Sequence, residues 1–353
     1  MKSPLLDACF LGAYGENDAM LEKLVVEFLR DHVYWRRNFH PEDPPAISTH
    51  AAQRPEFQAF EARLRRELHN LSAALKRSVP FHSPRYLGHM VSDLLIPGLA
   101  AQILTLPYNP NNVSEDSAPI TIDLEIKAGL QLARMLGFNA DTQQADCAFG
   151  HLTSGGTLAN YQALRLALAL KSFPIALRAA QVTELQLPDD DWNAFNLGPH
   201  AATGLYQQWV TLLAALPSAE RARLRQRVEQ QRIEHLGMTD FFAQHRELRP
   251  PVVLAPVTAH YSWSKGLKLL GLGRAQLQLV PTHAMRMRAD ALEEMLDAAH
   301  RARQPVLTLV GVLGTTEFGT IDPIDALVSA RDRHQQRGFG FGVHIDAAWG
   351  GYL

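Results

Sequence analysis

An α/β fold built on a mainly parallel sheet is what this sequence predicts, and two observations carry the prediction. Beyond residue 250, short apolar runs alternate with helical patterns: 252–255, 276–280, 305–312 and 341–345 read as buried strands, with helices from near Ser262, over 290–300 and over 322–335 between them. Such alternation calls for parallel pairing through right-handed crossovers. The second observation is that residues able to do chemistry fall where strands end or helices begin, which is where open α/β sheets bind ligands.

At 353 residues, with 46% hydrophobic positions, the chain has material for a sizeable core and reads as one large domain with an appended segment. A formal charge of −2 offers no footprint for nucleic acid or an anionic membrane. The run Arg221-Ala222-Arg223-Leu224-Arg225-Gln226-Arg227 reads as a solvated helix face. No stretch of eighteen apolar residues occurs and the first residues lack a signal-peptide pattern, so the expectation is a soluble cytoplasmic protein without a membrane partner. Cys9 and Cys147 form no CxxC, which suggests reduced thiols and no metal site.

Taken in order, the chain opens with two amphipathic helices. The first covers 18–38 on Met20, Leu21, Leu24, Val25, Phe28 and Leu29, with Asp18 as its expected N-cap. The second starts at Arg54-Pro55 and places Phe57, Phe60, Leu64, Leu68 and Leu71 on one face. Both read as arms outside the sheet. A loop dense in His, Pro and aromatics spans 79–90, an apolar helix follows around 93–106, and a second polar loop runs over 107–112. Loops of this make-up line sites, although a packed loop histidine is the commoner outcome for His82 or His89. The next helix, through Ile122, Ile126, Leu130, Ala133 and Leu136, stops at Gly137.

Thr153-Ser154-Gly155-Gly156-Thr157 then leads into the apolar helix that contains Asn160 to Leu170. Free N–H groups, glycines and the positive end of the helix dipole suit a phosphate there. A Gly-rich turn with a Ser/Thr N-cap explains the pattern equally well, and it matches neither GxGxxG nor a P-loop. From 172 to about 250 the text is polar, broken by Pro174, Pro188 and Pro217, and reads as an insertion with helices at 204–215 and 218–236. His260 is expected at the end of the strand 252–255, and Thr315 and Thr316 follow the strand 305–312. Asp346 ends the strand 341–345 before Ala347-Ala348, where it serves either as a turn cap or as a ligand contact.

A phosphate cradle, an imidazole, hydroxyls and a strand-end carboxylate are together what a phosphorylated, cationic heteroaromatic needs, as pyridoxal phosphate does. The segments His260-Tyr261-Ser262-Trp263-Ser264-Lys265, Gly314 to Asp322, and His344-Ile345-Asp346-Ala347-Ala348-Trp349-Gly350-Gly351-Tyr352 resemble the motifs of group II pyridoxal-phosphate decarboxylases. Within that group the chain is most similar to bacterial tyrosine decarboxylases, on Trp35 to Phe39, Ser83 to Met90, Asn109 to Val113 and the long insertion. The cradle is nearer to the wider decarboxylase group.

The resemblance implies fold type I, the aspartate aminotransferase-like fold, incomplete at the C-terminus. It implies an N-terminal arm with substrate-side loops over 1–115 and a large cofactor domain over 116–353, with the insertion at about 172–250. It further implies pyridoxal 5'-phosphate held by Gly156 and Thr157, stacked by His260, flanked by Thr316, supported on its other face by Ala348 and paired at its ring nitrogen with Asp346. His260 and Asp346 are then the catalytic residues, and His82, His89 and Asn109 the substrate-side ones. The implied reaction is decarboxylation of an aromatic L-amino acid, tyrosine to tyramine, by a homodimer. A glutamate or other amino-acid decarboxylase and a catalytically silent fragment are the alternatives. In the family the Schiff-base lysine follows the aspartate motif by a few tens of residues, so it is expected outside this chain; Lys171, Lys265 and Lys268 are poor substitutes.

Overall fold

The computed structural model describes residues 4–88 and 91–352. The chain packs as two compact units, Met1–Leu152 and Thr153–Leu353. The first is helical, with α1 (Pro4–Asp7), α2 (Asp18–Phe39), α3 (Pro55–Leu75), α4 (Ile96–Thr105) and α5 (Pro119–Met135). Proline opens α3 and α5, where its missing N–H costs nothing. Asp18 is not the N-cap of α2. That position is Asn17, and the Asp18 carboxylate takes the N–H of Ala19 at 2.7 Å from inside the first turn. Just past α5, Gly137 adopts φ +77°, a left-handed conformation that favours glycine. The predicted stripe of α3 forms, yet it faces outward: Phe57, Phe60, Leu64, Leu68 and Leu71 are all exposed, and no residue of the helix is buried.

The second unit begins with α6 (Gly156–Ala179) and continues through α7 (Asp191–Phe195), α8 (Pro199–Ala215), α9 (Ser218–Glu229) and α10 (Ile233–Gln244). Then come β1 (Val252–Pro256), α11 (Ser262–Leu269), β2 (Leu277–Val280), the short β3 (Thr282–His283) and β4 (Arg286–Met287), α12 (Ala289–Arg301), β5 (Val306–Val312), α13 (Ile324–Gln336) and β6 (Gly342–Asp346). The main sheet has the order β2-β1-β5-β6, and each of its pairings is parallel. β5 is central and all seven of its residues are buried, as expected of a parallel strand covered on both faces.

The stretch 172–250 is helical among the described residues, but its start differs from expectation. α6 runs through Pro174 to Ala179, because the residues around the proline are buried and their packing outweighs the lost backbone bond. The expected helix over 218–236 is two helices, α9 and α10. Two apolar clusters result. One surrounds the sheet and takes Leu164 and Leu168 from α6; the other takes Phe173, Ala176 and Leu177 from the same helix and packs them with Leu205, Trp209, Leu213, Leu224 and Val228. One feature was not anticipated: β3 and β4 form an antiparallel hairpin whose turn residues, Ala284 and Met285, have φ of 48° and 60°. No described helix is long and apolar enough to cross a membrane.

Candidate active site

Parallel pairing brings the carboxyl ends of β1, β5 and β6 to one edge of the sheet, and Val312, the last residue of β5, pairs in register with Asp346, the last of β6. The loops after these strands therefore open on the same side. Gly314, at φ +85°, lies so close to the turn after β6 that an added Cβ would fall 2.9 Å from Trp349 and 3.1 Å from Gly350. The two loops are thus in backbone-level contact.

α6 begins at this edge. Gly155 is its N-cap at φ +134°, with no side-chain cap; Leu158 N–H closes back on Gly155 O at 3.1 Å, which leaves the N–H groups of Gly156 and Thr157 as the open donors of a 24-residue helix. An added Cβ at Gly155 would meet nothing within 4 Å, whereas at Gly156 it would meet the Ala348 Cβ at 2.9 Å. The cradle is open in front and seated directly on the turn that follows Asp346. Four residues along the same helix face, Asn160 is buried and donates from Nδ2 to Asp346 Oδ2 at 2.8 Å and to Ser262 Oγ at 3.0 Å.

Asp346 is buried at the end of β6. Its Oδ2 accepts from Asn160 and from Trp263 Nε1 at 3.2 Å, while among the described residues Oδ1 accepts only the N–H of Ala348, at 3.3 Å. One oxygen is fastened and the other retains capacity. Its strand neighbour His344 bonds through Nε2 to Asn160 Oδ1 at 3.1 Å, and its ring meets Trp263 edge-on at 4.9 Å between centroids. Burial pushes the His344 pKa down, opposed by the negative charge of Asp346, so the imidazole is held neutral.

His260 is not at the end of a strand, as expected. β1 ends at Pro256, and His260 stands four residues on, one residue before Tyr261, the N-cap of α11, and its Nδ1 accepts the N–H of Ser262 at 3.2 Å. It thereby anchors the helix that carries Trp263 to Asp346. Of the two threonines after β5, Thr315 is buried and spends its hydroxyl on Thr320 at 2.8 Å. Thr316 is half-buried in the same loop. Lys265 lies over the Tyr261 ring at 4.2 Å, and Lys171 is buried with its amine on Gly340 O at 2.7 Å.

Gly156, Thr157, His260, Thr316, Asp346 and Ala348 all belong to the Thr153–Leu353 unit. His82 and Asn109, both exposed, belong to the Met1–Leu152 unit, and His89 lies outside the described residues. Sequence reasoning missed Asn160, Ser262, Trp263 and His344 as members of the site. The signal for Asn160 was its place four residues after Gly156, on the same face of the helix and one turn from the expected cradle.

Residues 208–353 match the pyridoxal-dependent decarboxylase conserved domain. The chain is 32% identical over 350 residues to an L-tyrosine decarboxylase of Levilactobacillus brevis, an alignment covering 98% of this chain and 51% of that protein. It is 31% identical over 350 residues to the L-tyrosine decarboxylase of Enterococcus faecalis, covering 98% and 52%. Over almost its whole length the chain is similar to these decarboxylases, and residues 208–353 carry the conserved domain. It spans about half the length of the curated relatives it matches. Among solved structures, the glutamate decarboxylase domain of a Vibrio parahaemolyticus diaminobutyrate-pyruvate transaminase and L-2,4-diaminobutyrate decarboxylase shares the fold, with a TM-score of 0.55 at 18% identity over 99% of this chain and 62% of that one. The fold is the type I α/β fold of these decarboxylases, a parallel sheet flanked by helices. The pyridoxal 5'-phosphate of these decarboxylases fits what this chain presents: a helix start at Gly155-Gly156 without a side-chain cap for a phosphate, and an Asp346 oxygen with capacity for a ring N–H.

Proposed function

We propose that this chain forms the cofactor-binding part of a pyridoxal-phosphate-dependent decarboxylase that converts an aromatic L-amino acid, tyrosine, to its amine, tyramine. The observation that carries the reading is the division of labour at Asp346, whose Oδ2 is taken by two side-chain donors while Oδ1 keeps room for one more. The similarity to L-tyrosine decarboxylases over 98% of the chain supports tyrosine as substrate.

In this reading Gly156 and Thr157 receive the phosphate on their N–H groups, where the dipole of α6 favours negative charge. Bound pyridoxal 5'-phosphate supplies the electron sink that takes up the bonding pair when the substrate carboxylate leaves as CO2. Asp346 keeps the ring nitrogen protonated, and the negative charge of Asp346 opposes loss of that proton. His260, anchored on Ser262, would cover one face of the bound ring, Ala348 would support the other, and Thr316 would flank it, as the resemblance implies. On the substrate side, His82, His89 and Asn109 are the proposed contacts, by resemblance of the 81–112 loops. As a division of labour, residues 1–115 serve as arm and substrate-side loops and 116–353 as the cofactor domain, with a helical insertion at 172–250. A homodimer is part of the proposal, supported by the outward apolar stripe on α3.

The test is amine release by the native gene product, with L-tyrosine, L-glutamate and L-aspartate assayed side by side. Tyramine from tyrosine is the expected outcome, and turnover of acidic substrates alone overturns the substrate assignment.

A further inference from the structure

We infer that Asn160 is the positioning residue of Asp346, fastening one carboxylate oxygen so that the other meets the ring nitrogen and the shared proton stays on nitrogen. The inference deepens the proposed cofactor reading and rests on it.

Hydrogen-bonding capacity fixes the arrangement. A carboxylate only accepts, so the Asn160 atom 2.8 Å from Asp346 Oδ2 is the amide nitrogen. Its second hydrogen reaches Ser262 Oγ at 3.0 Å. The amide oxygen then faces His344 Nε2 at 3.1 Å, and that nitrogen must carry the hydrogen of the neutral imidazole. Every polar atom of the Asn160 side chain is engaged, so the amide cannot flip without setting its oxygen against the carboxylate. The lock joins three elements, since Asn160 stands on α6, Ser262 begins α11 and His344 and Asp346 lie on β6.

Charge explains why the lock matters. Between a ring nitrogen and a carboxylate one proton has two places: on nitrogen, giving pyridinium and carboxylate, or on oxygen, giving pyridine and carboxylic acid. N–H donors on the second oxygen stabilise the charged carboxylate about twice as strongly as the neutral acid, and in a buried site that difference is large. Trp263 Nε1 adds a second, longer donor at 3.2 Å. Removing the Asn160 donor shifts the proton toward Asp346, and the electron sink weakens while the phosphate cradle is untouched.

The experiment binds pyridoxal 5'-phosphate, labelled with nitrogen-15 in the ring, to the unaltered chain, to Asn160→Leu and to Asp346→Ala, and reads the ring-nitrogen chemical shift at neutral pH. Leu matches Asn in branching and keeps the buried position filled. The unaltered chain should show a pyridinium resonance. Asn160→Leu should lose at least half of the protonated population, with competition by inorganic phosphate unchanged within about twofold, since the cradle N–H groups remain. A full pyridinium signal in Asn160→Leu overturns the inference. If that variant does not fold by circular dichroism, Asn160→Ala is read by the same criterion, since alanine suits a helix interior. Failure of the underlying reading looks different: the unaltered chain does not hold the labelled cofactor, or Asp346→Ala leaves the resonance where it was.

Discussion

Asp322 and Asp346 are both buried carboxylates flanking Val312 at the carboxyl edge of the sheet, and they differ in what holds them. Asp322 is consumed by the backbone: Oδ1 accepts from Met287 N at 2.7 Å and Oδ2 from Val312 N at 2.8 Å, tying the β3–β4 hairpin to β5. Burial pushes its pKa up, opposed by those two N–H groups. Asp346 is held by side chains on one oxygen and by a single long N–H on the other. A carboxylate with both oxygens on ladder N–H groups is a structural clamp, whereas one gripped from behind has a front to offer.

The most damaging way to probe this contrast is Asp322→Ala. It leaves two buried N–H groups unpaired and should lower unfolding stability by about 2–4 kcal/mol in a denaturant titration. Asp346→Ala should cost less, about 1–2 kcal/mol, because the two donors it releases, the Asn160 amide and the Trp263 indole, are side chains that can turn toward new partners, as backbone N–H groups cannot. Equal losses at the two sites would erase the distinction.

Lys171 extends the comparison to a buried cation. Desolvation lowers its pKa from 10.5 to about 7, and its partner is a carbonyl rather than a counter-charge. The unfolded chain then binds more protons than the folded one between about pH 7 and 10.5, so stability rises with pH across that window and the penalty is fully present below it. Lys171→Met should flatten this slope and raise stability at pH 6 by about 1–3 kcal/mol, read from melts at several pH values. An unchanged slope would mean that the amine is hydrated in the fold.

The last contrast concerns the cradle. Gly156→Ala drives a methyl group against Ala348 and should cost about 1–2 kcal/mol together with weaker cofactor binding, and adding Ala348→Gly should recover most of that loss. Independent, additive losses would separate the cradle from the Asp346 turn.

Much of this was legible because the signals are local. The strands, the Gly155-Gly156 helix start and the position of Asp346 at a strand end follow from apolar runs and small residues adjacent in sequence. The residues that hold Asp346 were not, since Trp263 is 83 and Asn160 is 186 positions away and both read as ordinary helix residues. The β3–β4 hairpin was hidden for another reason. Its turn places Ala284 and Met285 at positive φ where Asn-Gly would announce it, and that conformation is held from outside by Thr320 on Met285 O at 2.7 Å and by Asp322 on Met287 N. Proline misled in the opposite direction, because Pro174 suggests a helix end at a place where packing keeps α6 intact.

That intact helix has a consequence for energetics. A rod of about 36 Å is rooted in two separate oily anchorages, and its tip is the proposed phosphate cradle. A ligand that clasps the tip raises the cost of opening the rod anywhere along its length, and with it that of the helices leaning on its far half. Occupancy at the cradle is thereby felt as rigidity in the stretch that looked, from its polar text, like an ornament on the fold.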